Sequence, residues 1–547
     1  MKTGMTARGG IAALAAAALA VCSAAAADAA AQDGRGRFTP DRSVMSEAYW
    51  KIWNDGLQKE IDARIEKNRK ADAAFPVSAP DGAEVLVEQC THEFLFGAHI
   101  FNFNQLGTPE RNRRYKELFG TLFNSATIPF FWRTLERNPG APRFEERYED
   151  TEEFWNKCEN PNGQPHWRRP PVDPLVRFLK SRRVWIHGHP LVWGNDNWMN
   201  PSWLYECYCP ESESVALQRA SGASIPRSNL LDVPAGVNDV KWAEEWKAAW
   251  RKIFARLSEE EIARLAPTYI ANIGRLYERR VKQIAERYGD FVDAWDVVNE
   301  SATDFARFGG REAVRLRPFD KSWYGPMPAD YAFKAFVWAG RYLPRSARFN
   351  LNDYKNDIHF ANQAASLAKN GARIDTIGSQ MHLFNSKECE SIAKGEYSKT
   401  AMALVHPASL EKRFNLLSGI GRPILLSEVT ISAPDDTPEG RMIQAIVLRD
   451  LYRWWFSYKD MRGITWWNVV DDCGAPGEPT TSGLFTRDMK PKTAYFAMDD
   501  LINREWKTRL SVKAKDGKAV FRGFRGAYRL KWRDAKGAVC VKYFTLR

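Results

Sequence analysis

Two glutamates, Glu300 and Glu428, each close a strand-like apolar run. The first run reads Phe291-Val-Asp-Ala-Trp-Asp-Val-Val-Asn-Glu300, and the second Pro423-Ile-Leu-Leu-Ser-Glu428-Val-Thr-Ile431. A carboxylate at the C-terminal end of a buried strand loses hydration, so its position needs a functional reason. Two such strands can aim both carboxylates into one cleft. Cleavage of a glycosidic bond requires that arrangement: one carboxylic acid protonates the leaving oxygen, and one carboxylate attacks the sugar or activates water.

The elements that would hold this pair alternate along the chain. Strand patterns occur at Phe94–Ile100, Phe123–Phe131, Val184–Val192, Phe291–Val298, Arg348–Tyr354, Ile374–Met381, Pro423–Ile431 and Gly463–Val470. Helical periodicity lies between them at Asp173–Ser181, Trp242–Tyr288, Asp330–Tyr342, His359–Lys369, Pro407–Leu417, Pro438–Tyr458 and Lys492–Ile502. Alternation of this kind predicts an α/β fold, a (β/α)8 TIM barrel spanning residues 92–504. Gly194–Asp239, rich in Ser, Pro, Asn and Cys, reads as a long insertion able to shape one wall of the cleft.

Flanking segments differ in character. Residues 28–91 read as a polar leader, a helix over Met45–Lys70 and a short hairpin around Pro80-Asp81-Gly82. Residues 505–547 contain four short strand patterns, Leu510–Ala514, Ala519–Arg525, Ala527–Trp532 and Val539–Leu546. They form a small β module, more simply a cap on the barrel than an independent sugar-binding unit.

Lys2 and Arg8 precede the apolar run Ile11–Val21, and Ala25-Ala26-Ala27 supplies small residues for cleavage. Residues 1–27 thus read as a signal peptide, and the expectation is export, to the periplasm or beyond. Lipid attachment at Cys22 is a minor alternative, because Val21 stands where a small residue is expected. No later run is long enough for an integral membrane segment. The net charge of +12 is scattered rather than gathered in a stripe, and no zinc-finger, RNA-binding or P-loop pattern occurs, which argues against nucleic acid. Eight cysteines leave seven after removal of Cys22 (Cys90, Cys158, Cys207, Cys209, Cys389, Cys473 and Cys540), and their pairing is not readable from spacing. No Cys/His spacing suits zinc, so neither metal nor cofactor is expected.

Side by side, the strand ends read His187-Gly-His189-Pro-Leu-Val-Trp193, Trp295-Asp-Val-Val-Asn299-Glu300, Asn352-Asp353-Tyr354, Gly378-Ser-Gln380-Met-His382, Ser427-Glu428 and Gly463-Ile-Thr-Trp-Trp467-Asn-Val-Val-Asp471. In this order they resemble glycoside hydrolase family 10, the retaining β-1,4-xylanases, over roughly Val85–Asn503. The resemblance implies Glu300 as general acid/base and Glu428 as nucleophile. It implies that His382 bonds the nucleophile and that Asn299 binds the sugar 2-hydroxyl. His189, Gln380 and Trp467 would line the same subsite, with Trp193 as a platform beside it. Asn352 and Tyr354 would face the leaving group. Thr430 and Asp471 would support, and His187 would be structural. The implied partner is a polysaccharide, xylan or a related β-glycan.

Departures accompany the matches. The family follows its second strand with Pro-Glu-Asn and a Lys, whereas this chain has Thr127-Ile-Pro129-Phe-Phe-Trp132-Arg133. Thr430 stands where an Asp usually supports the histidine, so His382 should hold its proton less firmly. Asn468 follows Trp467 where Gly is usual. Two other readings compete. A non-catalytic glycan-binding barrel would need a lost carboxylate, and both are present. A metal-dependent barrel hydrolase, suggested by His187-x-His189, His382 and Asp471, would carry its His-x-His on the first strand.

Overall fold

The computed structural model describes residues 38–147, 151–157, 170–195, 198–201, 203–206, 209–224, 248–250, 252–253, 255–307, 330–397, 405–475 and 477–547. Before the barrel lie β1 (Lys70–Pro76) and β2 (Glu84–His92). The barrel strands are β3 (Leu95–His99), β4 (Ser125–Pro129), β5 (Trp185–His189), β6 (Val192–Trp193), β7 (Ala294–Asn299), β8 (Arg348–Asp353), β9 (Thr376–Leu383), β10 (Ile424–Ile431) and β11 (Met461–Trp466). All pair in parallel in the order β5-β4-β3-β11-β10-β9-β8-β7-β6, and β5 also pairs with β7, which closes the ring. The third predicted strand is split into β5 and β6 by Pro190, which has no N–H for the ladder. Counted as one staved unit, the two pieces leave the eight-stranded barrel that the alternation predicts.

Every residue of β4, β7 and β10 is buried, as expected where side chains fill the barrel on one face and helices cover the other. One continuous apolar core runs through barrel and helices, including Trp295, Trp454, Trp455 and Trp466. Most of the tryptophans among the described residues belong to it.

Helix boundaries follow local chemistry. The helix expected over Met45–Lys70 is two helices, Glu47–Ile52 and Asp55–Arg69, because Asn54 caps the second by accepting from the Leu57 N–H. Lys70 already belongs to β1. In the Trp242–Tyr288 pattern, Ser258 forms a capping box with Glu261 ahead of Glu259–Leu265, and Pro267 opens Pro267–Tyr288. The long insertion is not a bare loop: it contains helices Trp203–Glu206 and Glu211–Ser221, while residues 225–247 lie outside the described ones. None of the described helices is long and apolar enough to cross a membrane.

The hairpin expected at Pro76–Cys90 does not form. β1 pairs antiparallel with β13 (Lys518–Phe524). β2 pairs with β12 (Arg509–Lys513) and with β14 (Gly526–Arg533), which continues to β15 (Val539–Leu546). The turn at Pro80-Asp81-Gly82 is present, but its strands enter different sheets because both faces find apolar partners in the C-terminal segment. Val85, Val87, Phe521, Tyr528, Leu530 and Trp532 make a second small core there. The N-terminal extension and the C-terminal strands thus build one body beneath the barrel.

Candidate active site

Residues of one parity on adjacent barrel strands stack into shared layers, and the register brings the polar ones together. Asn299 on β7 is level with Asn352 on β8, which is level with Gly378 on β9. Gln380 and His382 on β9 are level with Glu428 and Thr430 on β10. Every second residue faces the same way, so Asn350 and Asn352, Gly378, Gln380 and His382, and Glu428 and Thr430 form one polar face at the C-terminal end of the barrel.

Glu428 is buried. Its Oε1 accepts from Asn352 Nδ2 at 2.9 Å, and its Oε2 lies 3.2 Å from His382 Nε2. The other ring nitrogen of His382 is 2.8 Å from Thr430 Oγ1, which fixes the imidazole plane. His189 Nε2 is 3.9 Å from Glu428 Oε1. Donors thus surround this carboxylate, the environment an ionised nucleophile requires.

Glu300 follows β7 directly, with a backbone φ of 54°, left-handed for a residue that carries a Cβ. Its N–H donates to Asn352 O at 2.7 Å, and its Oε1 accepts from Gln380 Nε2 at 3.2 Å. Burial, then the Glu428 carboxylate, then Asp353 push the Glu300 carboxyl well above the ordinary glutamate range, against the amide hydrogen bonds of Gln380 and Asn299. The result is a carboxyl group pushed toward its protonated form beside a carboxylate held by donors.

Asn299 is buried, and its Oδ1 accepts from Asn352 Nδ2 at 2.8 Å and from Gln380 Nε2 at 3.2 Å. Its amide N–H group in turn donates to the Glu300 carboxyl. Asn352 differs from expectation. It is wholly buried and lies under the pair, donating to both Asn299 and Glu428 and accepting from Ser427 Oγ at 2.5 Å. A side chain with both ends engaged cannot face a leaving group. Tyr354 is half exposed at the rim, its hydroxyl 3.0 Å from Thr303 Oγ1.

His189 Nδ1 lies 2.7 Å from Asp296 Oδ2, and His187 Nε2 lies 2.9 Å from Asp296 Oδ1. Burial would raise the Asp296 carboxyl, but the two imidazoles outweigh it and hold the group far below the usual carboxylate range. Asn350 adds a donor to Asp296 at 2.5 Å. Sequence reasoning passed over Asp296 and Asn350: Asn350 shares parity with Asn352, but Asp296 and Asn299 differ in parity, and only a register irregularity between Asp296 and Val298 brings them level with Asn350 and Asn352. Asp353 was also passed over as a functional residue. It accepts the N–H of Ala302 and of Lys355, both at 2.8 Å, and burial pushes its carboxyl up to about 7.

Trp467 packs edge-on among His99, Phe101, His189 and His382 at centroid distances of 5.0 to 6.1 Å. Phe131, from the altered second strand, sits edge-on to His189 at 5.4 Å and 6.2 Å from Trp193. Trp132 points elsewhere: it is buried and donates to Glu136 at 2.7 Å. Asn468 spans His99 Nε2, at 3.0 Å, and Glu478, at 2.8 Å, so it ties the loop after β11 to β3. Asp471 binds the Gly483 N–H at 2.7 Å and the buried Lys492 Nζ at 2.9 Å, and it braces that loop. Cys90 is disulfide-bonded. Cys158 and Cys207 lie outside the described residues, and Cys209, Cys389, Cys473 and Cys540 form no disulfide among the described residues.

Comparison with known proteins agrees with this geometry. Residues 262–501, which include both glutamates, match the model of glycosyl hydrolase family 10. The chain is 23% identical over 350 residues to endo-1,4-beta-xylanase B of Thermotoga neapolitana, covering 62% of this chain and 75% of that one. It is 24% identical over 348 residues to a beta-1,4-xylanase of Dictyoglomus thermophilum, covering 60% and 73%. Among solved structures, a family 10 protein of Paenibacillus barcinonensis superposes with a TM-score of 0.46 at 19% identity, over 75% of this chain and 95% of that one. With its barrel, its paired glutamates and these xylanase relatives, the chain is a glycoside hydrolase whose residues 262–501 match glycosyl hydrolase family 10.

Proposed function

We propose that this enzyme cleaves internal β-1,4-xylosidic bonds of xylan by double displacement, with Glu300 as acid/base and Glu428 as nucleophile. The observation that carries the reading is the opposed environment of the two carboxylates. Glu300 is dry and beside negative charge, so it retains a proton to give to the leaving oxygen. Glu428 has an amide donor on one oxygen and the His382 imidazole at the other, which hold it in place for attack. A covalent glycosyl-enzyme would form on Glu428, and Glu300, now a base, would activate the water that releases it. Asn299 would bind the 2-hydroxyl of the sugar, a bond that tightens in the oxocarbenium-like state. His189, Gln380, His382 and Trp467 would enclose that sugar, with Trp193 beside it. The names of the Thermotoga and Dictyoglomus relatives support xylan as substrate. The N-terminal pattern of basic residues, apolar run and small residues supports export.

Phe131 favours a second reading. It puts an aromatic ring beside His189, in the segment where the family has Pro-Glu-Asn and a Lys, which suits a decorated or different β-linked glycan. Hydrolysis of plain and of arabinose- or glucuronate-decorated xylan, with the product anomer followed by proton NMR, separates the two. β-Anomeric xylo-oligosaccharides from plain xylan establish the first reading. Turnover of decorated polymer alone establishes the second. α-Anomeric products would overturn double displacement, and no turnover of any β-glycan by folded protein would leave a barrel that only binds.

A further inference from the structure

At the end of the barrel opposite the glutamates lies a cavity of about 490 Å³ between the barrel floor and the small β body. Its walls come from segments that lead into β3, β10 and β11, from the end of helix Asp55–Arg69 and from the turn joining β13 to β14. Seven charged residues line it: Arg69, Arg422, Lys459, Arg462 and Arg525 against Glu93 and Asp460. The cations are not equivalent. Arg69 donates to the carbonyls of Phe456 and Tyr458. Arg422 donates to the carbonyl of Ile374 at 2.7 Å, and Lys459 pairs with Asp460 at 2.5 Å. Arg462 and Arg525 have no side-chain hydrogen bond or ion pair with any described residue; Arg462 only rests over the Trp185 ring at 5.7 Å. Both are half buried.

A guanidinium that gives up part of its hydration without gaining a counter-charge is costly. Here burial, followed by Arg348, lowers the pKa of Arg462, and Glu93 opposes this only in part. Arg525 in turn presses on Arg69, whose pKa burial and charge bring down to about 10. The cations outnumber the anions, and Phe94, Phe456 and Phe524 supply apolar wall. The volume falls within the range of about 300–1,000 Å³ typical of small-ligand sites. It exceeds the needs of a lone inorganic anion.

We propose that this cavity is a second saccharide site, built for the carboxylate of a uronic acid, with Arg462 and Arg525 as its anion ligands. Guanidinium matches carboxylate geometry bidentately, and the phenyl walls cover the apolar face of a sugar ring. The site would hold an acidic glycan on the face away from the cleft.

The test is calorimetric titration of the full chain with digalacturonate, with xylobiose and inorganic phosphate as comparison ligands. Digalacturonate is expected to bind, and Arg462→Gln and Arg525→Gln are each expected to weaken it about tenfold. Neither residue touches the cleft, so hydrolysis of an aryl xyloside should be unchanged. Hydrogen exchange of the unaltered protein provides a second measurement that needs no variant: protection by digalacturonate should fall on residues 418–423, 456–462 and 522–526. Equal affinity for phosphate, equal affinity for xylobiose, protection confined to the cleft, or no binding would each overturn the proposal. The binding and exchange readouts need no turnover, so loss of the xylanase reading would leave this result standing.

Discussion

Asn352 donates one amide hydrogen bond to Glu428 Oε1 at 2.9 Å while it sits wholly buried under the site. The same amide nitrogen reaches Asn299 Oδ1 at 2.8 Å, so one side chain sets both the carboxylate and its neighbouring sugar-binding amide. Asn352→Ala removes a preorganised donor, and kcat is expected to fall about 10²-fold on the order of other such donors. Steady-state kinetics on an aryl xyloside, with circular dichroism to confirm folding, provide the check. A variant with unchanged kcat would show that Asn352 only fills space.

Gly378 is level with Asn352 across the β8–β9 ladder, and a Cβ there would collide with the amides of both Asn350 and Asn352. Gly378→Ala is therefore expected to mimic Asn352→Ala in kinetics by displacing that side chain. The double variant should add little to either single one, because both act on the same group.

Glu428→Ala is expected to abolish turnover on all substrates. Glu300→Ala should lose about 10²–10⁴ on xylan, the usual worth of general acid–base catalysis. It should retain much more activity on aryl xylosides with good leaving groups, which need little protonation. Equal loss on both substrate types would remove Glu300 from the role of acid.

The pH profile has a defined sign. In the proposed role of acid, Glu300 acts in its protonated form, so activity is expected to fall as pH rises through its elevated pKa. Asp353 is one of the charges that raise it. Asp353→Asn is expected to move the alkaline limb of kcat to lower pH and to leave the acid limb in place. A limb that does not move would show that burial alone sets the acidity of Glu300.

Asp353 also predicts a stability trend. Burial lifts its folded-state pKa to about 7, against about 3.9 in an unfolded chain. The folded form therefore holds the extra proton, and the stabilisation is full below about pH 4 and is lost as pH rises through 7. Thermal melts of the unaltered enzyme should fall across that window more steeply than those of Asp353→Asn. Parallel slopes would contradict the assignment.

The barrel was legible because buried strands and amphipathic helices differ in period and alternate along the chain. Glu300, Glu428 and His382 were legible because their motifs fall in or just after the C-terminal halves of strand patterns, although Glu428 proves to lie inside β10 rather than at its end. Individual boundaries yielded to local chemistry, as at Pro190 and Asn54. The residues that tertiary structure alone decided are those whose role depends on register between strands distant in sequence. Asn352 belongs under the glutamates rather than at the leaving group because β8 places it level with Asn299 and Gly378. Asp296 matters because β5 brings His187 and His189 to it. β1 and β2 look like neighbours in a hairpin, yet each finds a larger apolar face in the C-terminal strands. Local pattern records which face of a strand is buried; which distant strand lies beside it is set by packing the whole core, and that pairing assembles the site.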